Sequence, residues 1–499
     1  MNHWIIAPVV LPALLAPLLM LLVRNDLRAQ RVLSAAGTLG FAALAALLLM
    51  QTAGGEIIVY RLGDWPAPFG IVLVADRLAT LMLALTAVLA LAVLAHVLGT
   101  GWDARGRHFH ALFQFQLMGL AGAFLTGDAF NLFVFFEVML IASYGLMIHG
   151  GGRARLRAGV QYVVMNLAGS VLFLFALGTL YAVTGTLNMA DLAVRVSALP
   201  VDEAGLLRVG AVMLLLVFAL KAALVPLQFW LPATYANAPG PVAALFAILT
   251  KVGVYAILRI YPLAFGADSM AGDIGPTLLL PAAGVTLLIG MIGVMGARDL
   301  GRMSAFAVVG SIGTLMLGVA VFTAATTGAA LFYLIHSTLA AAALFLVADL
   351  VLTERGNLAL QPGPRLARHG LLAALFFAAA IGMAGMPPLP GFLGKLMILD
   401  TTWLQPEAWA IWSLVLVGSI MAIIGLGRAG AALFWEVPRE PASVSGKPFA
   451  WGGIAGLLGA MVALTVAAGP ISNWLNATAV AIYTPAPYIE AVLGSGVSQ

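Results

Sequence analysis

The chain contains no cysteine in 499 residues. That excludes disulfides, thiolate metal sites and cysteine-held iron–sulfur clusters. Charge is nearly as scarce: Asp, Glu, Lys and Arg make up 9% of the sequence, against about 25% in soluble domains. Phosphate-binding loops, HExxH pairs, dinucleotide fingerprints and acyl-transfer triads are missing too, so nothing calls for a cofactor or for nucleic acid. What fills the chain is hydrocarbon: 62% hydrophobic residues and a mean hydropathy of +1.05. The apolar runs far exceed the alternating ten-residue segments of a membrane barrel. They suit helices that cross a bilayer, each of which needs about 20 apolar residues. The fold class expected is therefore an all-α polytopic membrane protein in a lipid bilayer. The N-terminal stretch MNHWIIAPVV lacks a basic leader region and reads as a retained first span.

About fourteen transmembrane helices fit the hydropathy pattern, at 4–23, 32–51, 72–99, 110–127, 129–149, 158–184, 207–231, 241–262, 276–297, 304–324, 328–352, 371–403, 409–435 and 450–469. The proline-bearing tail from 470 onward is expected to lie at the interface. Arginines set the orientation. Arg24, Arg28, Arg31, Arg105, Arg107, Arg153, Arg155, Arg157, Arg298, Arg302, Arg355, Arg365, Arg368, Arg428, Arg439 and Lys447 follow odd-numbered spans. The other loops carry only Arg61, Arg195, Arg208 and Arg259. By the positive-inside rule both termini face outward. Two spans look broken: the seventh by Pro226 and Pro232, the twelfth by Gly385, Pro387, Pro388, Pro390 and Gly391. Proline removes a backbone donor and clashes with the preceding turn. A pair of interrupted spans at matching places in two halves is the sequence mark of a transport site. Five spans separate these two, as two inverted five-helix repeats, spans 4–8 and 9–13, would require. The chain then divides into an N-terminal part at 1–109, a first repeat at 110–262, a second at 276–435, and a last span with its tail at 450–499.

Only four lysines occur, and three of them, Lys221, Lys251 and Lys395, sit inside apolar runs; Lys447 lies in a polar stretch. A charge at mid-bilayer costs about 2.5–3.5 kcal/mol on insertion scales and marks a functional position. Arginine stays charged, whereas a desolvated lysine titrates readily. Arginine outside and lysine inside is the pattern of a chain that loads and unloads protons. Glu137, deep in NLFVFFEVMLIASYGLMI, is the expected ion partner of Lys221, and a pair that opens and closes is a proton gate. The plainer alternatives are a cavity-facing acid for Glu137, a fixed ion pair for Lys221, snorkelling for Lys251 and a cap on the broken helix for Lys395. His336 reads as the only histidine deep in a span, either a relay station or a hydrogen-bonded core residue. Asp128 and Asp349 lie near span ends and read as interfacial. Gly293 and Ala297 read as helix packing. The sequon at Asn476 reads as chance.

Three segments carry a resemblance: FNLFVFFEVMLIASYGL around Glu137, FALKAALVPLQFWLPATYANAPGPVAALFAILTKVGVYAILR around Lys221 and Lys251, and GMPPLPGFLGKLMI around Lys395. In these the chain resembles the antiporter-like membrane subunits shared by Mrp-type cation/proton antiporters and respiratory complex I. The resemblance covers most of the chain. It implies a fourteen-helix fold with two inverted repeats, Glu137 and Lys221 as a paired gate, and Lys251, His336 and Lys395 along a hydrophilic axis. It also implies a hetero-oligomer with other Mrp subunits in a bacterial inner membrane, exchanging protons for a monovalent cation such as Na⁺. One departure matters: where many relatives carry a further lysine after the histidine, this chain has Ala341. Two other functions share these residues, a proton-pumping subunit of a quinone-reducing or hydrogen-evolving complex and a scaffold for a transporting partner. Lysine is a poor ligand for a hard cation, so the cation's path is left open.

Overall fold

A computed structural model describes residues 3–200, 204–436 and 450–494. Arg439 and Lys447 fall outside the described residues. Among the described residues twenty α-helices run in order: α1 Ala7–Leu21, α2 Leu27–Thr52, α3 Arg77–Thr100, α4 Phe109–Leu125, α5 Ala129–Met147, α6 Arg153–Thr184, α7 Met189–Ser197, α8 Ala204–Ala222, α9 Trp230–Asn237, α10 Gly240–Phe246, α11 Leu249–Ala264, α12 Ile274–Gly296, α13 Leu300–Val319, α14 Ala324–Arg355, α15 His369–Ala384, α16 Pro390–Thr402, α17 Ala408–Gly430, α18 Gly452–Val466, α19 Ala468–Ile482 and α20 Ala486–Leu493. Among the described residues, ten helical stretches are long and apolar enough to cross a membrane, or up to eleven if the bent α18–α19 pair counts as one. Shorter apolar helices lie at α1, α4 and α15. The chain is a multi-pass membrane protein.

Local chemistry explains where these helices begin. Asp26, Asp76, Asp128, Asp299 and Thr323 each precede a long helix, and each side chain accepts a bond from a first-turn amide. Asn188 does the same for α7. The two expected breaks are present. After α8, Ala223 takes a positive φ of 58° and the chain stays non-helical until α9. After α15, Gly385 takes a φ of 75°, a left-handed turn that glycine enters freely, before α16 starts at Pro390.

Close approach needs glycine at one recurring place. A Cβ on Gly119 of α4 would fall 2.6 Å from the Met139 amide nitrogen of α5, and one on Gly122 would strike the Phe135 ring. In α12, a Cβ on Gly290 would collide with the Gly310 nitrogen of α13, and one on Gly293 would strike the Phe306 ring.

Beyond the all-helical expectation, the α2–α3 connection holds an antiparallel hairpin. Ile58–Arg61 (β1) pairs with Val72–Ala75 (β2), in the register Ile58 to Ala75. The sequences IVYR and VLVA are short and rich in β-branched residues, and Pro66, Pro68 and Gly70 lie between them, which favours strands over a helix. The tail is helical, with α19 turned 83° from α18. The centre of the molecule is α14, a 32-residue helix whose most apolar window is 94% buried, packed by α13, α16, α18 and α19.

Candidate proton-transfer site

All three intramembrane lysines are inside the protein: Lys221 is 6% exposed, Lys251 0% and Lys395 6%. Lys221 closes α8, one residue before the helix stops. Its ammonium donates to Asn166 Oδ1 at 3.0 Å and lies 5.8 Å from the centre of the Phe136 ring. Glu137, half-buried on α5, does not touch it. The Glu137 carboxylate instead accepts the hydroxyl of Ser170, one turn beyond Asn166 on α6. The Asn166 carbonyl, 3.0 Å from Ser170 Oγ, is the alternative acceptor for that one hydroxyl hydrogen. Two neutral side chains of a third helix thus stand between Glu137 and Lys221. The expected direct ion pair is therefore absent, because α6 supplies a polar layer between α5 and α8.

Lys251 lies near the start of α11, in a span from Gly240 to Ala264 whose most apolar window is wholly buried. Its amine has no hydrogen-bond partner among the described residues. A buried amine without a partner is costly and must be held neutral, hydrated or paired at some stage. His336 occupies the middle of α14, 1% exposed, with Nδ1 unpartnered. Its Nε2 crowds the second break: a Cβ on Gly391 would fall 2.6 Å from Nε2 and 2.5 Å from the Gly382 carbonyl. Only glycine lets the start of α16 pass this ring. Lys395 donates to the Ala384 carbonyl at 2.7 Å and to Ser419 Oγ at 2.9 Å. It thus caps an open carbonyl at the end of α15, the plainer role weighed for it above. Ala341, at 1% exposure, adds a buried methyl and no titratable group beyond His336.

The family model of the NADH:quinone oxidoreductase/Mrp antiporter transmembrane domain matches residues 126–425, more than half of the chain. The chain belongs to this family. Among its relatives is the D-type component of a probable K(+)/H(+) antiporter of Rhizobium meliloti (strain 1021), 38% identical over 538 residues, covering 99% of this chain and 98% of that protein. The D-type component of a Na(+)/H(+) antiporter of Alkalihalophilus pseudofirmus is 37% identical over 500 residues, covering 99% and 100%. A chain in the structure of the Mrp complex from Dietzia sp. DQ12-45-1b superposes with a TM-score of 0.89 at 29% identity, covering 99% of this chain and 100% of that one.

In this NADH:quinone oxidoreductase/Mrp antiporter chain, several polar groups were misplaced or missed by sequence reasoning. Asn166 and Ser170 had a signal, two polar residues at i and i+4 in a long apolar span, where such spacing puts them on one helix face. Arg259, expected in a loop, is buried in α11, where its guanidinium binds the Asp76 carboxylate at 2.6 and 2.7 Å. Pairing with Asp76 is what makes that burial tolerable. Asp349, expected at the interface, is 2% exposed; it is bound to His96 at 2.9 Å and accepts from Trp102 Nε1 at 2.9 Å. His96 and His110, both fully buried near helix ends, join His336 as interior histidines. His110 and Arg31 share the carboxylate of Asp103, in the turn after α3. Burial opposes that charge, but the hydrogen bonds from His110 and Arg31 outweigh it and hold the Asp103 carboxyl well below the usual carboxylate range.

Proposed function

We propose that the chain is the proton-translocating membrane subunit of a multisubunit monovalent cation/proton antiporter, working in a bacterial plasma membrane with both termini outward. The observation that carries this reading is the burial of three amines and one imidazole, none within ion-pairing distance of a carboxylate among the described residues. The buried arginine Arg259, by contrast, is paired with Asp76, and the partly buried Arg31 with Asp103. Lys221, Lys251 and Lys395 are left free to be neutral for part of a cycle.

The roles follow the order of these groups. Glu137 tunes Lys221 through the Ser170–Asn166 layer. Lys221 is the switchable carrier, Lys251 and His336 pass protons laterally, and Lys395 exchanges them with the far half of the protein. Two like charges about 7 Å apart repel by roughly 2 kcal/mol at an effective dielectric of about 20, enough to push a proton onward. The named activities of the two relatives support cation/proton exchange, and they differ in cation, one Na⁺ and one K⁺. We assign no cation path to this chain. The remaining subunits of such an antiporter are its expected partners.

We also read spans 4–8 and 9–13 of a fourteen-span chain as inverted repeats. Gly119, Gly122, Asp128 and Phe135 reappear at one constant offset as Gly290, Gly293, Asp299 and Phe306, making the same close helix contacts. An odd number of spans per copy turns the second copy over.

The test is cation/proton exchange in everted vesicles carrying the complete complex. Lys221→Ala and Glu137→Ala should abolish exchange while the subunits still copurify. Exchange that survives both changes in an assembled complex would favour a scaffold. Copurification with iron–sulfur subunits would favour a redox-driven pump.

A further inference from the structure

Lys251 begins a stripe. Tyr255 and Arg259 follow it in α11 at four-residue steps, so the three share one helix face and their Cα atoms advance about 6 Å at each step. The Arg259 Nε donates to the Tyr255 hydroxyl at 3.2 Å, and that hydroxyl donates to the Phe124 carbonyl at 2.5 Å. Beyond the Arg259–Asp76 ion pair lies a cavity of about 270 Å³, walled by Asp76, Arg77, Arg259, Ala481 and Tyr488. The Tyr488 ring sits 5.2 Å from the guanidinium, and its buried hydroxyl has no partner among the described residues. A buried hydroxyl without a protein partner, on a residue that lines a cavity, is best satisfied by water.

A second cavity, of about 330 Å³, reaches the same span from its other end, where Asp349 lies against Gly240 at the start of α10. Helix α3 tells the two ends apart. It starts at Arg77, beside the first cavity, and the turn after it carries Trp102, which bonds Asp349 beside the second. Lys251 therefore lies between two cavities that enter from opposite ends.

We infer that the cavity at Arg77 is an aqueous mouth serving Lys251 from the face where α3 begins, with the Asp76–Arg259 pair as its stopper. This rests on the proton-carrier reading of Lys251. A guanidinium keeps its proton and repels another, so while it is locked to Asp76 and Tyr255 the stripe is closed. When the pair swings aside, the Tyr255 hydroxyl, which both accepts and donates, links cavity water to the amine. A hydronium in the cavity water then gives its proton through that link to the neutral Lys251 amine, leaving water and an ammonium, and the reverse step returns it.

The absence of native cysteine makes this directly testable. Ala481→Cys, and separately Val480→Cys on the same wall and 55% exposed, are introduced into the complete complex in vesicles of known sidedness. Each is treated with a bulky, membrane-impermeant methanethiosulfonate and compared with itself before labelling. Labelling should proceed from the α3-start face alone, and full modification, confirmed by intact mass, should abolish most exchange. Full modification with unchanged exchange, labelling from the opposite face only, or no labelling at either position overturns the inference. Lys251→Ala in the same vesicles separates the two readings. If it abolishes exchange and the label does not, the mouth is wrong and the carrier stands. If Lys251→Ala exchanges normally, the carrier reading fails first.

Discussion

Replacing Asn166 with leucine tests the layer between Glu137 and Lys221. The substitution keeps the number and branching of side-chain heavy atoms and removes the Oδ1 acceptor that lies 3.0 Å from the lysine amine. A hydrogen bond to a charged group contributes about 1.5–3 kcal/mol. The 5.8 Å contact with the Phe136 ring remains; the change also removes the bond that the Asn166 amide donates to the Tyr162 carbonyl at 2.8 Å, within α6 and away from the lysine. With about 1.4 kcal/mol per factor of ten, the ammonium form of Lys221 should become rarer by about 10- to 100-fold at a given pH. Exchange measured near neutrality in everted vesicles should fall by a similar factor, then recover as the loading side is acidified by about one to two pH units. Asn166→Asp should act oppositely: a carboxylate at that distance holds the ammonium, exchange falls, and acid does not rescue it. Copurified partner subunits report assembly in each case. An Asn166→Leu complex that assembles and exchanges like the wild type at every pH would refute the reasoning, because Lys221 would then not depend on its hydrogen bond to Asn166.

Other outcomes follow from the packing. Gly391→Ala should uncouple the second break, since its methyl would fall 2.6 Å from His336 Nε2 and 2.5 Å from a backbone carbonyl; the check is loss of exchange together with a lowered melting temperature of the complex. Gly290→Ala drives a methyl into the Gly310 backbone and must separate α12 from α13; yield of assembled complex in a mild detergent should drop, and Gly119→Ala should do the same at the matching crossing. Asp103→Asn removes the negative charge, and one of the two acceptor oxygens, that Arg31 and His110 share. Arg31 is partly exposed, so the cost is about 2–3 kcal/mol, less than for a fully buried pair, read as a lower unfolding temperature at neutral pH. The sign with pH is fixed by the depressed Asp103 carboxyl: its contribution is present above the ordinary carboxylate range and is lost as pH falls through the lowered folded value. The variant and the wild type should therefore converge in stability only under strongly acidic conditions.

Much of this architecture is written in composition. Apolar runs, broken by proline and glycine and punctuated by arginine, marked the spans, because bilayer thickness and backbone hydrogen bonding leave a chain few choices. The three buried lysines were legible for the same reason: a charge in such a run is too costly to be incidental. What could not be read was pairing across helices. Arg259 and Asp76 are distant in sequence, and only folding puts the N-cap of α3 beside the end of α11. Asp349 and His96 meet in the same way, each near a helix end where an interfacial position would have served equally well. The Glu137–Lys221 contact was overread because opposite charges suggest direct contact, whereas Asn166 and Ser170, being neutral, gave a weaker signal. The hairpin hid between spans because eight strand residues carry little weight in a hydropathy window tuned to twenty.

The two bonds of Lys395 have a consequence for how it could work. An ammonium carries three N–H groups and a neutral amine two. The Ala384 carbonyl and the Ser419 hydroxyl engage two of them. Losing the third hydrogen leaves both tethers intact, so the side chain can discharge without stirring and α15 keeps its terminus tied. A station of this kind hands on its cargo while standing still.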